Sequence, residues 1–433
     1  MNTHLSWYGA ASTQPSPVNR MMAAFTSSFR DGIDINLGVG FVNEQTIPVA
    51  AIERALQAVA ADQVTYRQAF NYGSSTGTAN LIAAIRRFLL RSRLGQIDAA
   101  TLDRNRVIIG PCGATSLLDG LAAVLKQGIV VTSDPMYYIY SDALERNGFE
   151  VLAVPEDSEG ISLEALDRKL RELGDRADEI SFFYIVTVNN PSCTILSNAR
   201  RRALYDVAAR LSRQQGRQVP IFFDLAYEWL LHDPAIEPLT SVLPQDELGI
   251  AYEIGTLSKV IAPALRVGYL LGPDGPVVHA MIQKTSDTGF SAPPFVQEMA
   301  AWLLDNGIEE QLRAVKAGYR EKALAVRAAI DQNLGAFLED CRGGSAGFYF
   351  YLTMRDIETR PGSTFFHLLA EAPGGLPRII YIPGEYCVHP RGDLAAAGRR
   401  QLRLSYGFEQ TPAILRALGL MREAIPRRSG TLA

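Results

Sequence analysis

The run Thr256-Leu257-Ser258-Lys259-Val260-Ile261-Ala262-Pro263-Ala264-Leu265-Arg266 sets two hydroxyls, an amine and a guanidinium between two apolar stretches. A lysine so placed is poorly explained as a surface residue carrying its amine into water. The arginine seven residues later keeps its charge at any working pH and can grip an anion through two parallel N–H donors. Other polar clusters also stand where apolar runs end. Gly113-Ala114-Thr115 follows Arg106–Gly110 and opens a helical pattern, so backbone N–H groups and the Thr115 hydroxyl make an anion site. Asp134-Pro135-Met136-Tyr137-Tyr138 follows the next apolar run and offers Tyr137 as a ring for stacking. In Asn189-Asn190-Pro191-Ser192, Asn190 is a hydrogen-bonding side chain and Pro191 turns the chain. Asp224-Leu225-Ala226-Tyr227 closes Pro220–Phe223. An acid directly after Ile-Phe-Phe points to a buried cation as its partner. Each cluster alone also reads as a turn or a helix start.

Taken together, the clusters meet the demands of one cofactor, pyridoxal 5′-phosphate. It needs a lysine for an imine, a carboxylate to keep its ring nitrogen protonated, donors to its ring oxygen, an aromatic stacked on the ring and an anion pocket. Lys259, Asp224, Asn190 with Tyr227, Tyr137, and the group Gly113, Ala114, Thr115 and Arg266 answer these in turn, with the hydroxyl pair Thr256 and Ser258 beside the lysine. Lys259, Asp224 and Tyr227 form the expected catalytic set.

Such residues must be held by a frame. Arg106–Gly110, Ile129–Ser133, Val151–Pro155, Ser181–Val188, Pro220–Asp224, Ala251–Leu257 and Arg266–Gly272 read as buried strands. Helical stretches such as Ser116–Lys126 and Ala199–Gln215 lie between them, and a helical pattern from about Ile52 to Leu90 is broken by the turn Asn71–Gly77. Buried strands alternating with helices give an α/β fold with a mostly parallel sheet covered on both faces, whose ligands sit beyond the carboxyl ends of the strands. From Pro294 the texture changes: one long helical pattern over about Val296–Leu334, then strands at Phe348–Thr353, Arg378–Ile382 and Gln401–Tyr406, then a closing helix. The expected division is residues 47–300 as a large cofactor-binding domain and 301–433 as a smaller α+β domain, joined by the N-terminal segment 1–46.

Ser-Lys-x-x-x-Pro-x-x-Arg-x-Gly-Tyr over Ser258–Tyr269, with Asp-x-Ala-Tyr, Asn-Asn-Pro and Arg-Leu-x-Tyr in the right order, resembles the fold-type I aminotransferases of class I/II, in particular the branch of the 2-aminoadipate and kynurenine aminotransferases. The resemblance runs from Ile35 to about Phe408. It implies that Lys259 forms the imine and shuttles the proton at the substrate Cα, that Asp224 pairs with the ring nitrogen, and that Asn190 and Tyr227 bind the ring oxygen. It implies that Arg403, with Gly40 and Asn190 beside it, receives the α-carboxylate of an amino acid or 2-oxo acid. Tyr72 would cross a homodimer interface to the neighbouring subunit's phosphate. Two positions depart from the pattern: Cys193 stands where a small glycine is usual, and Val42 where a proline is common. Cys193 reads as a buried packing residue.

Transamination is the expected reaction. A lyase or synthase of the same fold, eliminating or replacing a group on an activated amino acid such as an S-adenosylmethionine-like substrate, is the alternative. A cofactor-binding transcription regulator is a third reading, disfavoured by the lack of a helix-turn-helix extension in this sequence. Phe41, Tyr138 and Tyr386 are candidates for the mouth, and no second arginine is evident for a side-chain carboxylate.

An apolar share of 47% and a charged share of 20% are those of a globular chain, and 433 residues imply more than one packed unit. The net charge of -4 supplies no field for nucleic acid or a membrane surface, and local runs such as Arg200–Arg202 and Arg427–Arg428 read as solvated faces or tails. Four cysteines and five histidines, scattered, suggest neither a disulfide framework nor a metal site. With no signal peptide or spanning segment visible, the expected location is cytoplasmic.

Overall fold

The protein is seen in a computed structural model that describes residues 3–425, so Arg427–Arg428 and the last residues of the expected third segment lie outside the described residues. In chain order the strands are β1 (Ile35–Asn36), β2 (Asn105–Ile109), β3 (Ile129–Asp134), β4 (Glu150–Asp157), β5 (Gly160–Ile161), β6 (Ile180–Val186), β7 (Ile221–Asp224), β8 (Ala251–Thr256), β9 (Gly268–Pro273), β10 (Leu338–Gly343), β11 (Tyr349–Met354), β12 (Ile379–Ile380), β13 (Ile382–Pro383) and β14 (Gln401–Ser405).

Eight of them form the central sheet in the order β2-β9-β8-β7-β6-β3-β4-β5. The pairs β4–β3, β3–β6, β6–β7 and β7–β8 are parallel. Strand β9 runs the other way between β8 and β2, and the short β5 folds back on β4. Alternate side chains of β6 show how the frame is built. Phe182, Tyr184 and Val186 join Leu117, Leu121, Val278 and Met281 on one face of the sheet. Phe183 and Ile185 join Leu204, Ala208 and Leu211 on the other. A strand buried on both faces has no use for polar alternation, which is why β6 is apolar nearly throughout.

The polar residues fall where the strands stop. Asp134 ends β3, Asp224 ends β7, Thr256 ends β8 and Asn190 lies just past β6. Helix Gly113–Val124 begins after β2, and its N-terminus lies against the first residue of β9.

Strands β10, β11, β14 and β13 make a separate antiparallel sheet, and β1 pairs in parallel with β12, so residues before Leu37 are tied to the late part of the chain. Asp34 fixes that tie, accepting from Arg30 Nη2 at 2.6 Å and Arg378 Nη2 at 2.7 Å. Among the described residues, no helix is long and apolar enough to cross a membrane.

Two expectations are corrected, and one strand was missed. The single helix over about Val296–Leu334 is two helices, Pro294–Asp305 and Ile308–Leu334, because Gly307 takes φ 129, outside any helical conformation. The strand expected over Arg378–Ile382 is split at Tyr381 between two sheets, β12 pairing with β1 and β13 with β14. Strand β10 escaped notice because Leu-Glu-Asp-Cys-Arg-Gly is only partly buried and carries little apolar signal.

A Cβ at Gly268 would collide with the backbone nitrogen of Ala114, while one at Gly275 would meet nothing within 4 Å. Gly268→Ala should therefore lower unfolding stability by about 1–3 kcal/mol. Gly275→Ala should stay within about 0.5 kcal/mol of the parent. Denaturant titration of both variants checks the contrast.

Candidate active site

Lys259 sits in the turn that leaves β8. Its Nζ donates to Gly40 O at 3.1 Å and lies 5.6 Å from the Tyr227 ring centre and 5.7 Å from that of Phe348. Burial pulls its pKa down to about 8, the charges of Arg403 and Arg266 push the same way, and Asp224 opposes them. The amine faces a cavity lined also by Ala114, Thr115, Tyr137, Asn190, Asp224, Tyr227, Thr256, Ser258 and Arg266. Ten of the residues singled out from the sequence thus meet at one place.

One end of the cavity is built for an anion. Arg266, held in the left-handed region at φ 51, lays its guanidinium over the start of helix Gly113–Val124, donating to Cys112 O at 3.3 Å and Pro263 O at 3.2 Å. Gly113 is required there: a Cβ would stand 2.8 Å from Arg266 Nη2. The Thr256 hydroxyl lies 2.9 Å from Val267 O and 3.0 Å from Ser258 Oγ, so its one proton is divided between a carbonyl and the Ser258 hydroxyl. A guanidinium, a hydroxyl and the first N–H groups of a helix converge as a phosphate requires.

At the far end stands Asp224, buried, with two neutral donors: Tyr184 OH at 2.7 Å and Ala226 N at 2.9 Å. Burial pushes its pKa up, against those bonds and the Lys259 charge. Tyr184 was missed in the sequence; a tyrosine inside the apolar run of β6 signals a hydroxyl that must find a partner. Tyr137 caps the helix Tyr138–Arg146 and lines the same end.

Arg403, in β14, is 2% exposed, and both of its acceptors are neutral: Asn190 Oδ1 at 2.7 Å and Gly38 O at 2.6 Å. Its Nε has no partner. A Cβ at Gly40 would stand 2.8 Å from the hydroxyl of Tyr349, a residue the sequence did not single out. Tyr349 stacks against Arg403, whose guanidinium carbon lies 4.2 Å from its ring centre. Of the mouth candidates, Tyr138 is buried with Arg403 6.0 Å from its ring, Tyr386 is half-buried, and Phe41 is exposed, packed edge-on against Phe408 at 5.7 Å. Helix Pro17–Thr26 brings the exposed Arg20 within electrostatic reach of Tyr386.

Tyr72 does not join the site of its own chain. It is 86% exposed, with Phe290 at 6.2 Å between ring centres. Of the two departures from the pattern, Val42 is buried. Cys193 adopts φ 51, the conformation a glycine would take, with its N–H on Asn189 O at 2.6 Å. Burial pushes its thiol up to about 12, so it packs as a neutral side chain.

The donor set fits pyridoxal phosphate. A buried carboxylate with only neutral partners suits a protonated ring nitrogen, the helix start with Arg266 suits a phosphate, and the amine lies between them. Arg403 is left over, as a site for a carboxylate.

The chain matches the family described as Aminotransferase class I and II over residues 33–372. It is 24% identical over 377 residues to an uncharacterized HTH-type transcriptional regulator of Bacillus subtilis (strain 168), spanning 86% of this chain and 70% of that protein. It is 22% identical over 426 residues to the mitochondrial kynurenine/alpha-aminoadipate aminotransferase of Bos taurus, spanning 92% and 95%. The fold is also that of Pyrococcus horikoshii kynurenine aminotransferase, solved in complex with PMP: the TM-score is 0.81 at 22% identity, covering 96% of this chain and 95% of the other.

The depressed amine has a direct consequence. Below a pH of about 8 Nζ is an ammonium and cannot add to an aldehyde, so capture of pyridoxal phosphate by the cofactor-free protein should quicken with pH through that midpoint and then level off. Between about 8 and 10.5 the unfolded chain holds the proton that the folded one has lost, so this group's contribution to stability rises with pH across that window. Stopped-flow absorbance checks the first effect; a rate that is flat across the midpoint contradicts it.

Proposed function

This chain belongs to the aminotransferase class I and II family and is a pyridoxal-phosphate-dependent aminotransferase; from that premise we propose how its residues divide the work. The observation that carries the assignment is the pair of buried opposite charges, Arg403 and Asp224, whose own partners are all neutral. Each is costly to bury alone and is relieved by a ligand charge. The substrate α-carboxylate goes to Arg403 and the protonated ring nitrogen to Asp224.

When bound, the cofactor supplies an electron sink that weakens the bonds at the substrate Cα. The protein supplies the rest. Ala114, Thr115, Ser258 and Arg266, supported by Gly113 and Thr256, hold the phosphate. Tyr137 packs on one face of the ring. Asn190 orients the Arg403 guanidinium through its Oδ1 and keeps its amide N–H for the ring oxygen, which Tyr227 also serves. Arg403 with Gly40 fixes the carboxylate, and so sets which bond at Cα faces Lys259. Lys259 Nζ takes the Cα proton and, as the ammonium, gives a proton back. A pKa near 8 leaves it able to do both close to neutral pH.

The substrates are an amino acid and a 2-oxo acid. The rings beside Arg403, those of Tyr138 and Tyr349, support a bulky apolar or aromatic side chain. A homodimer is part of the proposal. Exposed Val64, Phe70 and Tyr72 make an apolar surface of the kind covered by a partner, and Tyr72 has no task within its own chain. The break at Gly307 lies close to the proposed division between residues 47–300 and 301–433.

Three outcomes test this. The purified protein should show a visible absorption band that Lys259→Ala abolishes, and a bulky apolar amino acid should bleach it with release of the matching oxo acid. Arg403→Leu should lower kcat/KM by about 30-fold or more, as loss of a buried charge partner does, while keeping the band. Tyr72→Phe should leave sedimentation at the dimer but weaken cofactor retention. A band that never bleaches with any amino acid rules out the transaminase assignment; a monomer that keeps its cofactor rules out the role of Tyr72.

A further inference from the structure

Tyr349 touches three parts of the site at once: Arg403, Tyr227 and Gly40. It opens β11, opposite Ser405 of β14, and is wholly buried. Its ring lies under Arg403, its hydroxyl is 2.9 Å from Tyr227 OH, and the same hydroxyl abuts Gly40, whose carbonyl holds Lys259. The two phenol rings meet edge to face, 5.5 Å apart at 67°. Arginine, base and ring-oxygen donor are therefore all in contact with one phenol or one residue removed from it.

The direction of the shared hydrogen bond follows from the surroundings. A buried phenol must place its proton on an acceptor, and Tyr227 Oη is the acceptor within reach of Tyr349. Tyr227 lines the cavity, so its own proton can be turned toward an acceptor on a bound ligand. The positive charge of Arg403 over the Tyr349 ring draws electron density from that phenol and makes it the better donor of the two. A hydroxyl that accepts such a bond becomes a stronger donor itself.

The geometry points to Tyr349 as a positioning residue: its hydroxyl donates to Tyr227 and so turns the Tyr227 proton into the cavity, toward the cofactor's ring oxygen. This rests on the assignment of Tyr227 given above. Phenylalanine at 349 would keep the packing under Arg403 and release the Tyr227 proton to swing away. With the cofactor bound, the nitrogen joining it to Lys259 would share its proton with that ring oxygen. A stronger donor to the oxygen lets the nitrogen lose its proton at lower pH, and a weaker donor raises the pH at which it does so.

The test is a pH titration of the visible absorption of the loaded protein without substrate, for the parent, Tyr349→Phe, Tyr227→Phe and the double variant. Tyr227→Phe should raise the midpoint most, Tyr349→Phe should raise it by about 0.5 in pH, and the double variant should match Tyr227→Phe alone. The KM for substrate should stay near the parent value in Tyr349→Phe and rise in Tyr349→Leu, which loses the ring under Arg403. A midpoint unmoved by Tyr349→Phe while Tyr227→Phe shifts it overturns the inference and leaves Tyr227 in place. A midpoint that Tyr227→Phe leaves unmoved overturns the Tyr227 assignment and the inference with it.

Discussion

Two ions of opposite sign, Asp224 and Arg403, are buried with neutral partners only, and the rest of the site is arranged around what they lack. Neither would be kept out of water without return: an isolated buried charge costs several kcal/mol. The protein lowers that cost with bonds it can spare, Tyr184 and Ala226 to the carboxylate, Asn190 and Gly38 to the guanidinium. These leave each ion one unmet demand, a cation for Asp224 and a carboxylate for Arg403. The Lys259 amine lies between them, and the positive surplus of Arg266, Arg403 and Lys259 is the complement of a phosphate and a carboxylate arriving together.

Holding these groups requires elements from distant parts of the chain. Arg403 rides on β14, yet its acceptors come from the loop after β6 and from Gly38 just past β1. Lys259 leaves β8 but is pinned by Gly40. The parallel pairing of β1 with β12 carries the Gly38–Gly40 stretch to the antiparallel sheet that holds Arg403, with Ser405 N donating to Leu37 O at 2.8 Å. The site is a seam between two sheets, and their relative placement sets whether carboxylate, amine and ring oxygen fall within reach of one another.

Much of this was legible in the sequence because the cofactor-facing residues stand at strand ends, where an apolar run gives way to a polar cluster. Lys259, Asp224, Asn190 and the Gly113–Thr115 turn have that local signal, and ten of the residues so marked line one cavity. Residues that act through another side chain carry no such mark. Tyr184 and Tyr349 sit inside apolar runs, where a tyrosine reads as bulk until its hydroxyl is seen to meet Asp224 or Tyr227. The break at Gly307 was hidden for a different reason. Apolar periodicity continues on both sides of it, and only the backbone angle separates the two helices.

Cys193 shows how the fold accommodates a departure without moving the site. A non-glycine residue in the left-handed region costs about 1–2 kcal/mol. Here the turn is bound on both sides: Cys193 N on Asn189 O, Asn189 N on Thr194 O, and a bridge between Val188 and Ile195. Beneath it Glu156, pushed up to about 7 by burial, takes hydrogen bonds from Ser192 Oγ and Asn189 Nδ2, each at 2.7 Å. Gly347 faces the thiol, and a Cβ there would stand 3.0 Å from Cys193 Sγ. Room for the sulfur is thus made by a glycine in the turn between β10 and β11. That arrangement ties the turn carrying Asn190 to the strand start carrying Tyr349, so the cysteine bears on the site through packing and not through its own chemistry.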